Sequence, residues 1–335
     1  MKNGLTLWTA FFILFHAASA YAEIDSTVRD ASVGSRVAEF STTIQADGGT
    51  IAGFTKYQIG ASYFPISELK FPTNVVMAGI TLRSETENGT LFSLILRRNF
   101  SQVAGKMEDS DWGIAAATNP AASLTDLDIF SSSDASLNTW RLGGHVQLPI
   151  RSKLEETTTG HFTYGGGYLF DNYRYNVSNL DQYSPSGLSN VTAFVEGTVL
   201  TYEMSHHFPY LSVGYVFDSP LVSGSILVGF SPWVSVADRD DHVLRNKIST
   251  GIGRGTGVLG EVSLKFPVMD APNWKFRVKG AYLDSQTAGR QSQLWYADEL
   301  YGDGSVRTPK GTSVEIDYKT KRTEYSIIAG LDYRF

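Results

Sequence analysis

A chain of 335 residues with no cysteine, 32 glycines, 17 tyrosines and 19 phenylalanines owes nothing to disulfides, and it favours β structure with many turns. A formal charge of −6 at pH 7 makes nucleic acid a poor partner. Mean hydropathy is −0.12, and no segment beyond the amino terminus approaches the roughly 20 apolar residues of a transmembrane helix, which argues against a helical membrane protein.

The amino terminus begins with Lys2, continues through an apolar stretch from Leu5 to Phe15, and reaches the small residues Ala18-Ser19-Ala20-Tyr21-Ala22. That order predicts a secretory signal peptide over residues 1–22, cut after Ala22, and a single mature domain over 23–335. Two strands are expected within residues 38–83. Further strands follow near Phe92–Arg98, Trp140–Pro149, His161–Tyr175, Pro209–Phe217, Ile226–Val236, Val258–Phe266 and Trp274–Tyr282. The last twelve residues alternate most clearly, Tyr325, Ile327, Ala329, Leu331, Tyr333 and Phe335 against Glu324, Ser326, Ile328, Gly330, Asp332 and Arg334. Alternation alone fits a half-buried strand of a soluble protein equally well. The export signal, the terminal Phe335 and the aromatic ends of that face favour an outer-membrane strand.

The fold class expected is therefore all-β: a single-domain antiparallel transmembrane β-barrel of about ten strands. Short, turn-forming connections occur near residues 85–89, 151–160, 218–224 and 269–273. Long polar connections cover roughly residues 98–139, 176–198, 237–249 and 284–322, with a less distinct one near 57–66. Barrels of this class keep short turns in the periplasm and long loops outside, so the long set is expected to be extracellular.

Two acidic motifs fall in that outer set: Asp109-Ser110-Asp111-Trp112, and Asp238-Arg239-Asp240-Asp241-His242. Counting strands puts them four apart on a ring roughly 20 Å across, nearly on opposite walls. Period-two spacing aims Asp109 with Asp111, and Asp240 with His242, from one face of an extended segment, with Ser110 and Asp241 turned away. A histidine held by a carboxylate can take a proton from water, and a facing carboxylate pair can hold that water. By residue type alone, solvated loop acids or a divalent-cation site fit as well. His206 and His207 are adjacent on a strand, so they point to opposite faces and do not chelate one metal. The glycines between Gly251 and Gly257 lack a phosphate-loop pattern and read as close strand packing.

On these residues the chain resembles the omptins, outer-membrane endopeptidases built on a ten-stranded barrel. Asp109-Ser110-Asp111-Trp112 is similar to the family's D-x-D-W segment, with Asn119-Pro120 and Thr125-Asp126 following. Asp238-Arg239-Asp240-Asp241-His242 is similar to its D-x-D-x-H segment, preceded by Trp233. Pro209-Tyr210 and the closing Ala329-Gly330-Leu331-Asp332-Tyr333-Arg334-Phe335 also match.

The resemblance implies a bacterial outer-membrane endopeptidase that acts on peptides or proteins outside the cell, near basic residues. Asp240 and His242 would activate water, Asp109 and Asp111 would position it, and Asp238 would receive a basic side chain. No cofactor or metal is implied. Lipopolysaccharide on the barrel wall is the lipid that the resemblance ties to activity. Tyr57, after Thr55-Lys56, stands where the family has a second specificity acid. Ser205 stands where a basic residue is expected at the lipid site, which the region of Asp171, Tyr173 and Arg174 resembles loosely. A non-proteolytic porin or channel, or an adhesin-like surface protein, is the alternative.

Overall fold

The computed structural model describes residues 40–335 apart from 62–63, 118, 151–159, 189–190 and 303. The expected signal peptide and much of the 151–160 connection lie outside the described residues. The strands are β1 (Phe40–Ala61), β2 (Phe64–Pro72), β3 (Val75–Thr86), β4 (Leu91–Asn99), β5 (Val103–Trp112), β6 (Leu127–Pro149), β7 (Gly160–Tyr183), β8 (Ala193–Asp218), β9 (Ser223–His242), β10 (Lys247–Val268), β11 (Ala271–Trp295), β12 (Glu299–Leu300), β13 (Val306–Thr308) and β14 (Ser313–Arg334).

All but β12 and β13 join one antiparallel sheet, which closes where β1 meets β14 from Thr43↔Arg334 to Ile59↔Tyr318. The terminal Phe335 secures this seam, its backbone N–H donating to the Thr42 carbonyl at 3.0 Å. β2 continues β3 beyond Thr73-Asn74, and β5 continues β4 beyond Phe100-Gln102, so the twelve segments make a ring of about ten walls. Closure leaves no sheet edge unpaired in the bilayer, where water cannot satisfy one.

The alternation read from the sequence sorts lipid from lumen. Tyr325, Ile327 and Leu331 are exposed outward, and Ile328 is buried inside. On the outer surface Trp274 packs on Tyr333 at 4.9 Å and Tyr333 on Phe335 at 4.9 Å, whereas Tyr282 packs on Tyr325 at 5.0 Å. These two groups mark the aromatic girdles flanking an apolar band ~25 Å tall. Val228 lies in the row of the upper girdle, through Gly260 and Tyr282. Asp238, Asp240 and His242 of β9 therefore stand well above the bilayer, as does the tip of the β5 wall.

Below the rim the lumen is filled by charge. Asp47 binds Arg97 at 2.8 Å and Arg277 at 2.9 Å, and Asp332 binds Arg277 at 2.9 Å and Lys265 at 3.0 Å. Higher up, Arg141 and Arg322 hold Asp171 and Glu324 between them. A cavity of about 60 Å³, lined in part by Arg97, Arg141, Glu261 and Glu324, has room for only a few waters.

The regions expected as long loops are largely strand. Residues 103–112 and 127–139 belong to β5 and β6, β7 runs to Tyr183, and β11 runs to Trp295. The expected 237–249 loop shrinks to the turn Val243–Asn246, with Asn246 at a φ of 51°. Above the bilayer neither face needs to be apolar, so the alternation fades while the ladder hydrogen bonds continue.

Candidate active site

The two motifs stand on β5 and β9, separated around the ring by β6, β7 and β8. On β9 the period-two rule holds: Asp238 is 7% exposed, Asp240 is fully buried, and His242 reaches Asp240 Oδ2 with Nε2 at 2.8 Å. Neither Asp240 oxygen has a hydrogen-bond partner, so the contact is a close approach that becomes an ion pair only when the imidazole is protonated. Asp241 turns outward and accepts from Tyr296 Oη at 3.4 Å.

On β5, Asp109 lies opposite Leu69 and Asp111 opposite Ser67 of β2, and the Ser67 side chain hydrogen-bonds Asp111. Burial pushes the Asp109 carboxyl well above the usual carboxylate range, and the charges of Asp111 and Asp240 push the same way. Burial also raises Asp111, opposed by Ser67, Arg245, His242 and Lys247. Asp109 thus feels Asp240 and Asp111 feels His242, which places both motifs within electrostatic reach across one cleft. Two adjacent carboxyls raised in this way titrate as a coupled pair rather than as independent acids. Among the described residues no group of three or more His, Asp or Glu is arranged to hold a metal ion.

Asp238 lies deeper. Tyr202 Oη donates to its Oδ2 at 3.2 Å. Burial pushes its carboxyl up to about 7, further raised by Asp240 and opposed by hydrogen bonds from Tyr202 and the Gly251 backbone. Gly251 is needed for this approach, since a Cβ there would sit 2.6 Å from Asp238 Oδ1 and 2.7 Å from the Tyr318 ring. The glycine run is close packing, as read from the sequence.

Tyr57 occupies the same pocket. It is 1% exposed, donates from Oη to Gln291 Oε1 at 2.6 Å, stacks on Tyr202 at 6.1 Å and meets the edge of Tyr318 at 6.0 Å. Burial, with Asp240 and Asp238 nearby, raises its phenol well above the usual range, so it stays a neutral donor. Phe71 extends the stack, 4.5 Å from Tyr202. Sequence reasoning noted Tyr57 as a missing acid but did not find this aromatic wall. The alternation Thr55, Tyr57, Ile59 facing Leu69 and Phe71 was the available signal. It also passed over Lys247, which lies directly opposite His242 on β10.

The other residues singled out lie elsewhere. His206 is buried in the lumen, with Nδ1 3.1 Å from Arg322 and Nε2 3.0 Å from Ser285 Oγ, while His207 bonds Tyr168 Oη on the opposite face. Asp171 and Tyr173 also point into the lumen, 1% and 3% exposed. Of that proposed lipid region, Arg174 is on the outer wall, paired with Glu203 at 3.1 Å.

A family model described as the omptin family matches residues 78–335. The chain belongs to the omptin family. Among solved structures, this omptin is similar to the outer membrane protease OmpT from Escherichia coli, with a TM-score of 0.72 and 15% identity over 91% of this chain and 100% of that one. A second match is the translocator domain of autotransporter NalP from Neisseria meningitidis, with a TM-score of 0.36 and 8% identity over 100% of both chains. Comparison of the sequence with curated proteins returns no match. Membership and fold make this omptin an outer-membrane protease.

Proposed function

We propose that this omptin hydrolyses peptide bonds of exposed polypeptides with water activated by His242, and that it selects a basic side chain through Asp238. The observation that carries the reading is the buried Asp240–His242 contact at 2.8 Å, facing a carboxyl pair within electrostatic reach. With Nε2 turned to Asp240, the reading assigns the resting proton to Nε2 and leaves Nδ1 to accept the proton from water. Water held between His242 and the Asp109–Asp111 pair attacks the carbonyl carbon as its proton passes to Nδ1. The tetrahedral species collapses when that proton reaches the amide nitrogen and the C–N bond breaks. No covalent intermediate with the protein forms.

The charge-filled lumen disfavours the channel reading, because an ion crossing it would have to separate buried pairs such as Arg97–Asp47. Two measurements on protein refolded with lipopolysaccharide test the choice. The expected results are cleavage within a peptide library containing Arg and Lys, and no large stable conductance in a planar bilayer. Conductance without cleavage would overturn the proposal.

Asp238 makes the selectivity pH-dependent. A carboxyl raised to about 7 is anionic above that pH and neutral below it. Its ionised fraction rises from about one tenth at pH 6 to about nine tenths at pH 8. KM for an Arg-containing peptide should therefore fall by up to about tenfold over that interval, and the trend should vanish in Asp238→Asn. A pH-independent KM in the wild type would remove Asp238 from the selectivity role.

A further inference from the structure

Hydrolysis builds negative charge on the carbonyl oxygen, and the groups assigned above are poorly suited to receive it. Asp109, Asp111 and Asp240 are acids, and His242 is occupied with the proton. An oxyanion in a cleft bordered by carboxyls needs a donor, best a cation, placed before the reaction begins.

Lys247 meets that need. The tight Val243–Asn246 turn sets it directly opposite His242 in the β9–β10 ladder, where facing side chains lie ~5 Å apart at Cβ. It shares the inward face with Ser249 and Gly251 and is 3% exposed. Among the described residues it has no carboxylate within ion-pair distance. Its polar contact is Gln293 Oε1 at 3.4 Å, and the Trp295 ring lies 5.7 Å from Nζ. The neighbouring cation Arg245 is engaged by Glu299 at 2.9 Å. Lys247 still acts across the ring on the β5 wall, favouring the charged forms of Asp109 and Asp111. A buried ammonium with most of its hydrogen-bonding capacity unspent is costly to keep for packing alone.

We propose that Lys247 is a further catalytic residue, whose ammonium donates a hydrogen bond to the carbonyl oxygen as the oxygen becomes negative. The proposal rests on the water-activation reading above. As water's oxygen bonds to the carbonyl carbon, the C=O π pair moves onto oxygen beside Nζ and water's proton goes to His242. On collapse the pair re-forms the C=O, the C–N bond breaks, and the His242 proton passes to nitrogen. Lys247 keeps its protons throughout. Burial, reinforced by Arg245 and opposed by Asp240, Glu299 and Asp109, pushes the ammonium down to about 8, so its donor charge is present below that pH and lost above it.

The test compares kcat and KM from pH 5 to 10 for the full mature chain refolded with lipopolysaccharide, as wild type, Lys247→Met and Lys247→Arg. Heat-modifiable gel mobility verifies assembly of each. The wild type should lose kcat above about pH 8. Lys247→Met should lose about 10²- to 10³-fold in kcat with KM within about threefold, the usual effect of removing one oxyanion donor. Lys247→Arg should retain part of the rate and carry the alkaline limb to higher pH, because guanidinium does not titrate there. If Lys247→Met fails to assemble, the limb in Lys247→Arg decides. A Lys247→Met kcat within about threefold of wild type, or an unmoved limb in Lys247→Arg, would overturn the proposal. So would a Lys247→Met effect confined to the acid limb, since that assigns Lys247 to tuning Asp109 and Asp111. A wild type that cleaves nothing overturns the water-activation reading, and this proposal with it.

Discussion

Replacing His242 with alanine is expected to lower kcat by about 10²- to 10⁴-fold while the barrel still assembles, the range typical of losing a positioned general base. His242 sits at the end of β9, above the membrane band. Its strong contact is Asp240 at 2.8 Å, and its side chain is 16% exposed, so truncation leaves no large core cavity. It does leave Asp240 as a buried carboxylate without its neighbour, and Asp240→Asn with His242 intact separates orientation of the imidazole from proton transfer. Asp109→Asn should also reduce kcat, because an amide replaces one of the two carboxyls proposed to border the water. Single-turnover cleavage of a fluorogenic peptide, alongside heat-modifiable mobility, measures rate and assembly separately. If assembled His242→Ala and Asp109→Asn both turned over at the wild-type rate, the site assignment would fail.

Arg322→Met should produce the largest loss of stability, about 3–5 kcal/mol, by stripping a buried cation from its carboxylates. Arg322 is 2% exposed, bonds Asp171 Oδ2 at 2.8 Å and also bonds Glu324, and its guanidinium lies 5.0 Å from the Tyr173 ring centroid. Without it, two buried carboxylates share Arg141 alone, which reaches Asp171 and Glu324 at 2.6 Å each. The penalty comes from the orphaned charge rather than from the pair's intrinsic worth. Replacing Arg322, Asp171 and Glu324 together by apolar residues of similar volume should therefore recover much of the loss. Urea titration of the refolded barrel, followed by tryptophan fluorescence, compares the variants. An unchanged midpoint in Arg322→Met would show that the network contributes nothing net.

Much of the barrel was legible because a bilayer imposes a period-two apolar code on each crossing. Tyr325, Ile327 and Leu331 face lipid, as do Trp274 and Phe276. That code stops at the upper girdle. The segments around Asp109 and Asp238 therefore read as loops although β5 and β9 continue through them. The same code could not tell that Asp171 and Tyr173 face the lumen charge network rather than the outer wall, because it identifies the apolar face and leaves unspecified which polar residues meet.

Local spacing determined which residues of the site travel together: Asp238, Asp240 and His242 at alternate positions on one strand, and Asp109 with Asp111 on another. The resemblance of those motifs determined the family. Tertiary structure decided the rest, because those relations cross strands or span the lumen. Ring closure brought β5 and β9 face to face, and the β9–β10 register put Lys247 beside His242. Packing of β1, β2 and β8 made Tyr57, Phe71 and Tyr202 one wall of the Asp238 pocket. A strand's own sequence states which face a side chain takes, but its partner depends on register and closure, and these are set by the whole sheet.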